Sequence, residues 1–298
     1  MSRARRGDAV NGVLLLDKPR GITSNLALQK ARRLLNAARA GHTGTLDPLA
    51  TGLLPLAFGE ATKFCADLLD ADKAYEACLK LGVCTATGDA EGEVIETRAV
   101  TVTRAQVEAA LARLEGEIEQ VPPMHSALKY RGQPLYALAR RGIEVERAPR
   151  SVTIRRLALL ALEGDRARVE VECSKGTYVR VLAQDIGAAL GCGAHLAELR
   201  RTRVGPLTLA GAVELAALET MPPAARREWL KPADALLASL ARVELDESGA
   251  ARLLQGRAIE VKQAASPRVR VYGPAGLLGV ASVEANGMLV PLRLVRAQ

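Results

Sequence analysis

Apolar residues recur along the chain with periods of two or close to 3.6, which divides it into short strands and helices. Residues 11–16 predict a buried strand, closed by the turn Asp17-Lys18-Pro19-Arg20-Gly21. Thr23 or Ser24 then offers a helix N-cap, and Leu26, Leu28, Ala31, Leu34 and Leu35 follow with roughly helical spacing. Residues 60–69 and 103–114 predict further helices, and residues 179–190 an amphipathic helix stopped by Gly191. Strands are predicted over 73–83, 93–96, 151–162 and 167–173, the last two joined at Glu163-Gly164-Asp165. Two stretches hold too many breakers for either element. Residues 40–55 contain three Gly, three Thr and two Pro and predict a loop long enough for a functional role; residues 121–134 are similarly punctuated.

Helices and strands are mixed without regular βαβ repetition, so the expected class is α+β. Pro222, Pro223 and Pro232 mark a change of texture. Beyond it come a helix at 247–254 and short strands near 269–272, 277–283 and 288–295, the pattern of a small β-rich module. The expected division is residues 1–242 and 243–298.

Composition narrows the function classes. Aromatics are only 3% of residues, so the core is built from Leu, Val and Ala, and an extended base-stacking platform is not expected. A net charge of +8 suits a polyanionic partner, nucleic acid first, and suits an Arg-rich enzyme equally well. The five cysteines are odd in number and include no C-x-x-C, which predicts reduced thiols in a cytoplasmic protein. Arg3, Arg5 and Arg6 are followed by no apolar h-region, and no stretch reaches membrane-spanning length. The three histidines lie far apart in sequence, and no metal-ligand cluster, phosphate-loop or dinucleotide motif is present, so no metal and no cofactor are expected.

The one acid in the loop Gly41-His42-Thr43-Gly44-Thr45-Leu46-Asp47-Pro48-Leu49-Ala50-Thr51-Gly52 suits turn chemistry as well as catalysis when read alone. The whole string G-H-T-G-T-L-D-P-L-A-T-G-L-L-P, however, resembles the signature of bacterial tRNA pseudouridine synthases of the TruB family. Asp17-Lys18-Pro19 with Gly21, Thr23 and Ser24, then Gly59 to Lys63, Lys73-Ala74-Tyr75 and Thr87 to Gly92 are similar to successive motifs of that family. So are Pro122-Pro123-Met124 with Ser126 to Lys129, Lys175 to Arg180, and Leu199 to Thr202 with Val204-Gly205. The likeness runs in order from about residue 11 to 215.

The resemblance implies a catalytic domain with a mixed, largely antiparallel sheet flanked by helices. It implies conversion of the uridine at position 55, in the T arm of tRNA, to pseudouridine. Asp47 falls on the family's nucleophile, Arg180 on the arginine that pairs with it, and Tyr75 on the tyrosine that stacks on the uracil. A carboxylate can be nucleophile and leaving group in turn, and an arginine fork can both keep it ionised and aim it. His42 matches the residue that fills the space left by the flipped base. Tyr178 and Leu199 match pocket-lining residues, and Lys63 a pocket-side lysine.

Residues 124–150 match a segment that clamps the RNA, with Lys129, Arg131, Arg140, Arg141, Arg147 and Arg150 as phosphate-facing cations. Two positions depart from the family pattern: His125 stands where a Tyr is usual, and Ala40 where a β-branched residue is usual. Residues 243–298 resemble a PUA-type RNA-binding module through Gly256, Gly279 and Pro291-Leu292-Arg293. A monomer is expected. The competing reading is an RNA-binding or RNA-folding protein whose catalysis is secondary; a metal-dependent nuclease fits poorly for want of ligands.

Overall fold

The computed structural model describes residues 7–296. The N-terminal arginines Arg3, Arg5 and Arg6 therefore lie outside the described residues. A central sheet runs through the first three quarters of the chain. Its main strands are β1 (Gly12–Lys18), β2 (Thr51–Phe58), β3 (Lys73–Leu81), β4 (Gly116–Gln120), β5 (Arg150–Glu163), β6 (Arg166–Cys173) and β7 (Ala194–Val204). Their spatial order is β1-β2-β7-β3-β6-β5-β4. The β2–β7 pair is parallel and the other five pairs on this path are antiparallel, so the sheet is mixed and largely antiparallel, as the resemblance implied.

Strands β1 and β2 lack polar–apolar alternation because both of their faces are covered. Leu14, Leu16, Leu54, Leu56 and Phe58 enter one apolar cluster with helices α1 (Ser24–Leu34) and α3 (Val179–Ala189). Val13, Leu15, Leu53 and Ala57 enter a second cluster with Phe64, Leu68 and Leu236. Helix α1 begins at Thr23, whose hydroxyl accepts from Leu26 N at 3.1 Å. Helix α2 (Arg104–Ala112) opens with a Thr103–Gln106 capping box, in which each side chain satisfies the other's free backbone donor.

Three features differ from the sequence reading. The stretch 40–55 is not wholly loop: Ala40–His42 and Thr51–Phe58 pair antiparallel, which leaves residues 43–50 irregular between them. Strand β7 is unpredicted because Arg200, Arg201 and Arg203 and two register shifts break its alternation. Strand β4 is unpredicted because its sequence GEIEQ holds a single apolar residue at the sheet edge.

The C-terminal module is a five-stranded sheet of β8 (Ala241–Glu244), β9 (Ile259–Glu260), β10 (Ser266–Gly273), β11 (Gly276–Val283) and β12 (Met288–Leu294), with helix α4 (Glu247–Leu254). Val243, Leu253, Val269, Val271 and Leu289 form its core. It packs directly onto the part built around the central sheet. Val280 joins the second apolar cluster, and the Tyr272 hydroxyl donates to Asp234 Oδ2 at 2.6 Å. All five cysteines are free thiols. Among the described residues no helix is long and apolar enough to cross a membrane.

Candidate active site

The irregular segment 43–50 is gripped from the α1 side. The Ser24 hydroxyl donates to Leu46 O at 2.9 Å and accepts from Leu46 N at 2.7 Å. Gly21 N donates to Pro48 O at 2.8 Å. The turn after β1 and the first residue of α1 thus hold the backbone on both sides of Asp47. Gly52, at φ +97°, closes the segment against β7. A Cβ there would come within 2.3 Å of the Arg201 carbonyl oxygen, so the position admits only Gly.

The Asp47 side chain is 44% exposed, and Arg180 beside it is only 7% exposed. Arg180 Nη2 lies 3.1 Å from Asp47 Oδ2. The fork does not clasp Asp47 with two parallel bonds. It is shared: Nε lies 3.6 Å from Asp89 Oδ2, Nη2 also donates to His125 O at 2.7 Å, and Nη1 to Thr87 O at 3.4 Å. Arg180 sits in the first turn of α3, where a cation opposes the helix dipole. Two carboxylates and two carbonyls offset both that and its burial.

Asp89 was not singled out from the sequence. Its Oδ1 accepts from the Thr87 hydroxyl at 2.5 Å and from Glu91 N at 3.1 Å, so the turn 87–92 is organised around it. It is buried, and it places Arg180 between two acids.

Tyr75, on β3, is buried and stands directly opposite Arg201 of β7. Burial raises its phenol above the ordinary range and Arg201 draws it back, so Tyr75 keeps its proton at neutral pH. Lys18 has no exposed surface, and its Nζ donates to Pro19 O at 2.9 Å and to Ile22 O at 2.8 Å. Burial lowers its amine to about 8, with the charges of Asp47 and Glu91 opposing the shift.

His42 ends the short strand before the loop. Burial and then the Arg201 charge push its ring below the usual range, which keeps it neutral, and its Nδ1 is buried without a hydrogen-bond partner. Tyr178 is the residue before α3, and its N–H donates to the buried Gln120 Oε1 at 3.0 Å. Leu199, opposite Ala77 on the sheet, lines a cleft of about 200 Å³ with Leu49, Thr51 and Leu160.

Lys63 is held elsewhere. Its Nζ binds Glu60 Oε2 at 2.5 Å and Leu294 O at 2.8 Å, at the seam with the C-terminal module. Lys129, Arg131, Arg140 and Arg141 are exposed on the arm that runs from residue 122 to 150. Arg131 lies 5.3 Å from the centroid of Tyr130, and Arg140 lies 5.5 Å from that of Tyr136. His125 is exposed and reaches Arg180 only through its carbonyl, so the departure from Tyr leaves that link intact. No group of three or more His, Cys, Asp or Glu side chains is arranged to hold a metal ion among the described residues.

Comparison with known proteins gives this arrangement its class. The model of the TruB family pseudouridylate synthase N-terminal domain matches residues 32–179. The models of the tRNA pseudouridylate synthase B C-terminal domain and of the pseudouridine synthase II TruB C-terminal region match residues 180–238 and 241–295. The chain is similar to tRNA pseudouridine synthase B of Aromatoleum aromaticum, 62% identical over 286 residues that cover 96% of this chain and 93% of that one. It is similar to the same-named protein of Dechloromonas aromatica, 58% identical over 99% of both chains. Among solved structures it is similar to a chain of a Cbf5-Nop10-Gar1 complex, with a TM-score of 0.75 and 26% identity over 97% of this chain and 85% of that chain. The chain belongs to the TruB family of pseudouridylate synthases. It is accordingly an isomerase, and its fold is that of the class.

Proposed function

We propose that the chain converts uridine to pseudouridine at position 55, in the T arm of tRNA, with Asp47 as the nucleophile. The observation that carries this reading is a half-exposed carboxylate held at 3.1 Å by a buried arginine, on a loop gripped at both shoulders. The relatives' names supply the tRNA.

The flipped uridine presents its ribose and base edge to Asp47. The C1′–N1 bond breaks, the base turns, and C1′ bonds to C5, while the C5 proton leaves and N1 gains one. Asp47 departs unchanged, which a carboxylate does readily. Arg180 keeps Asp47 ionised and aimed, and Tyr75 supports the base. Tyr178 and Leu199 line the uracil site, and neutral His42 fills the vacated stack. Lys63 serves at the seam with the C-terminal module. Lys129, Arg131, Arg140 and Arg141 meet phosphates, and residues 243–298 add RNA affinity. The protein acts as a monomer in the cytoplasm, without a cofactor.

The test is chemical mapping of pseudouridine in unmodified tRNA after incubation with the wild type. Product at position 55 alone is the expected result. Product at another uridine, or none, would overturn the assignment.

A further inference from the structure

Arg201 heads the large side chains of this protein that are wholly buried, at 1% exposure. Its neighbours on β7 have counter-charges: Arg200 pairs with Asp17 at 2.6 Å and Arg203 with Glu172 at 2.9 Å. Arg201 instead donates to three carbonyls, Leu53 O at 2.8 Å, Gly44 O at 3.4 Å and Thr45 O at 3.5 Å. Tyr75 stands directly across the strand pair, close enough for its phenol to feel the Arg201 charge. A guanidinium taken out of water without a carboxylate is costly, and an apolar residue would fill the same space at less cost.

What distinguishes Arg201 is the set of groups it joins. Gly44 and Thr45 lead into Asp47, and Leu53 follows the loop. Tyr75 lies on the neighbouring strand β3. A single planar fork therefore ties the loop of Asp47 to the strand of Tyr75. Gly44 has φ +128°, so its carbonyl direction depends on a backbone that few residues adopt. Its Cα would carry any Cβ to 3.7 Å from Arg201 Nη1, which leaves the fork close against the loop.

We propose that Arg201 is a positioning residue of the isomerisation: it sets the placement of Asp47 through the loop carbonyls and the direction of the Tyr75 hydroxyl. This rests on the reading of Asp47 and Tyr75 given above. A guanidinium beside a phenol oxygen favours the hydroxyl orientation whose proton points away from it, toward a polar edge of the bound base.

A double-mutant cycle tests it. Arg201→Lys keeps the charge and loses the fork; Arg201→Gln keeps donors, removes the buried charge, and carries the cycle if the lysine variant fails to fold. Single-turnover rate constants at saturating tRNA should fall about a hundredfold with either change, because misplacement of about 1 Å costs that much. In a Tyr75→Phe background the same change should cost less than about tenfold, since the hydroxyl it positions is already gone. Equal cost in both backgrounds would overturn the link to Tyr75, and a lowered melting temperature with an unchanged rate constant would reduce Arg201 to a structural role and overturn the proposal. Asp47→Asn, measured alongside, separates the two levels. If that variant forms product, the reading of the site fails whatever Arg201 does.

Discussion

Around Asp47, Arg180, Arg201 and Lys18 are almost wholly buried, and their hydrogen bonds and ion pairs go to carbonyl or carboxylate oxygens. On the arm between residues 122 and 150, Lys129, Arg131, Arg140 and Arg141 stand in solvent, two of them stacked beside exposed tyrosines. The same residue types serve opposite ends. Buried cations have one geometry and fix the groups around them; exposed ones keep rotamer freedom and remain free to meet a polyanion. Changes at the centre should therefore act on the chemical step or on stability, and changes on the arm on affinity.

The sharpest break of that contrast is at Asp47. Asp47→Asn should cost on the order of ten-thousandfold or more in single-turnover rate while binding tRNA within about threefold of wild type, because only bond making needs the carboxylate. Multiple-turnover product from this variant, after mapping rules out contamination, would remove the nucleophile from its role.

Arg180→Lys comes next, with a rate loss of about a hundredfold and little change in affinity. Asp47 is not clasped bidentately, and Arg180 is shared with Asp89 and two carbonyls, so a lysine could satisfy one acid and desert the other. Arg180→Ala should also lower stability, by about 3–5 kcal/mol, because Asp89 is left buried without its partner. If unfolding measurements show Arg180→Ala as stable as the wild type, Asp89 does not depend on the arginine.

Much of this centre was legible in the sequence because motif strings mark backbone geometry that few residues can supply. The 41–52 string and the Asp17-Lys18-Pro19 turn lie far apart in sequence yet meet through Ser24–Leu46 and Gly21–Pro48. What was not legible depends on long-range pairing. Arg201 matters because register puts it opposite Tyr75 and Gly52, and no local pattern contains that fact. Asp89 read as a turn residue until Arg180 was found against it. A partner of Lys63 was hidden for the same reason, since Leu294 reaches it only through docking of the C-terminal module. That docking also changes an expectation: cutting the chain at 242 would uncover Val13, Leu15 and Leu53 where Val280 packs, so truncation should lower stability as well as affinity.

Lys18 tests the buried side of the contrast through pH. Folding lowers its amine to about 8, mainly by burial, against an unfolded value near 10.5. Between those two values the unfolded chain holds a proton that the folded chain lacks, so this group makes stability rise with pH across the window. Below about 8 the cost of the buried charge is fully present. Lys18→Met should remove that rise, worth at most about 3 kcal/mol over the window. Urea unfolding of both proteins at several values across the window checks it, since other titrating groups cancel in the difference. Parallel curves would mean that Lys18 reaches water in the folded state.

The smallest effects belong to the arm. Arg131→Ala and Arg140→Ala should leave stability within about 0.5 kcal/mol, because both side chains are exposed. They should leave the rate constant at saturating enzyme unchanged, because neither touches the loop of Asp47, Tyr75 or Arg180. Each phosphate contact removed should reduce the slope of log affinity against log salt by about 0.7–0.9, so the double variant should lose roughly twice that. The loss must shrink as salt rises, since an electrostatic contact that displaces counterions is weaker when counterions are plentiful. Affinity measured across a salt series reads the slope directly. The stacked tyrosines sharpen the result further. Tyr136→Phe keeps the ring beside Arg140 and should leave the slope intact, whereas Tyr136→Ala frees the guanidinium and should lower affinity slightly without changing the slope. If instead the arm variants kept their salt slope and lost the chemical step, these cations would act on the placement of Arg180 through the His125 carbonyl. The arm would then belong with the buried centre, and the division between fixing and binding cations would fall elsewhere in the chain.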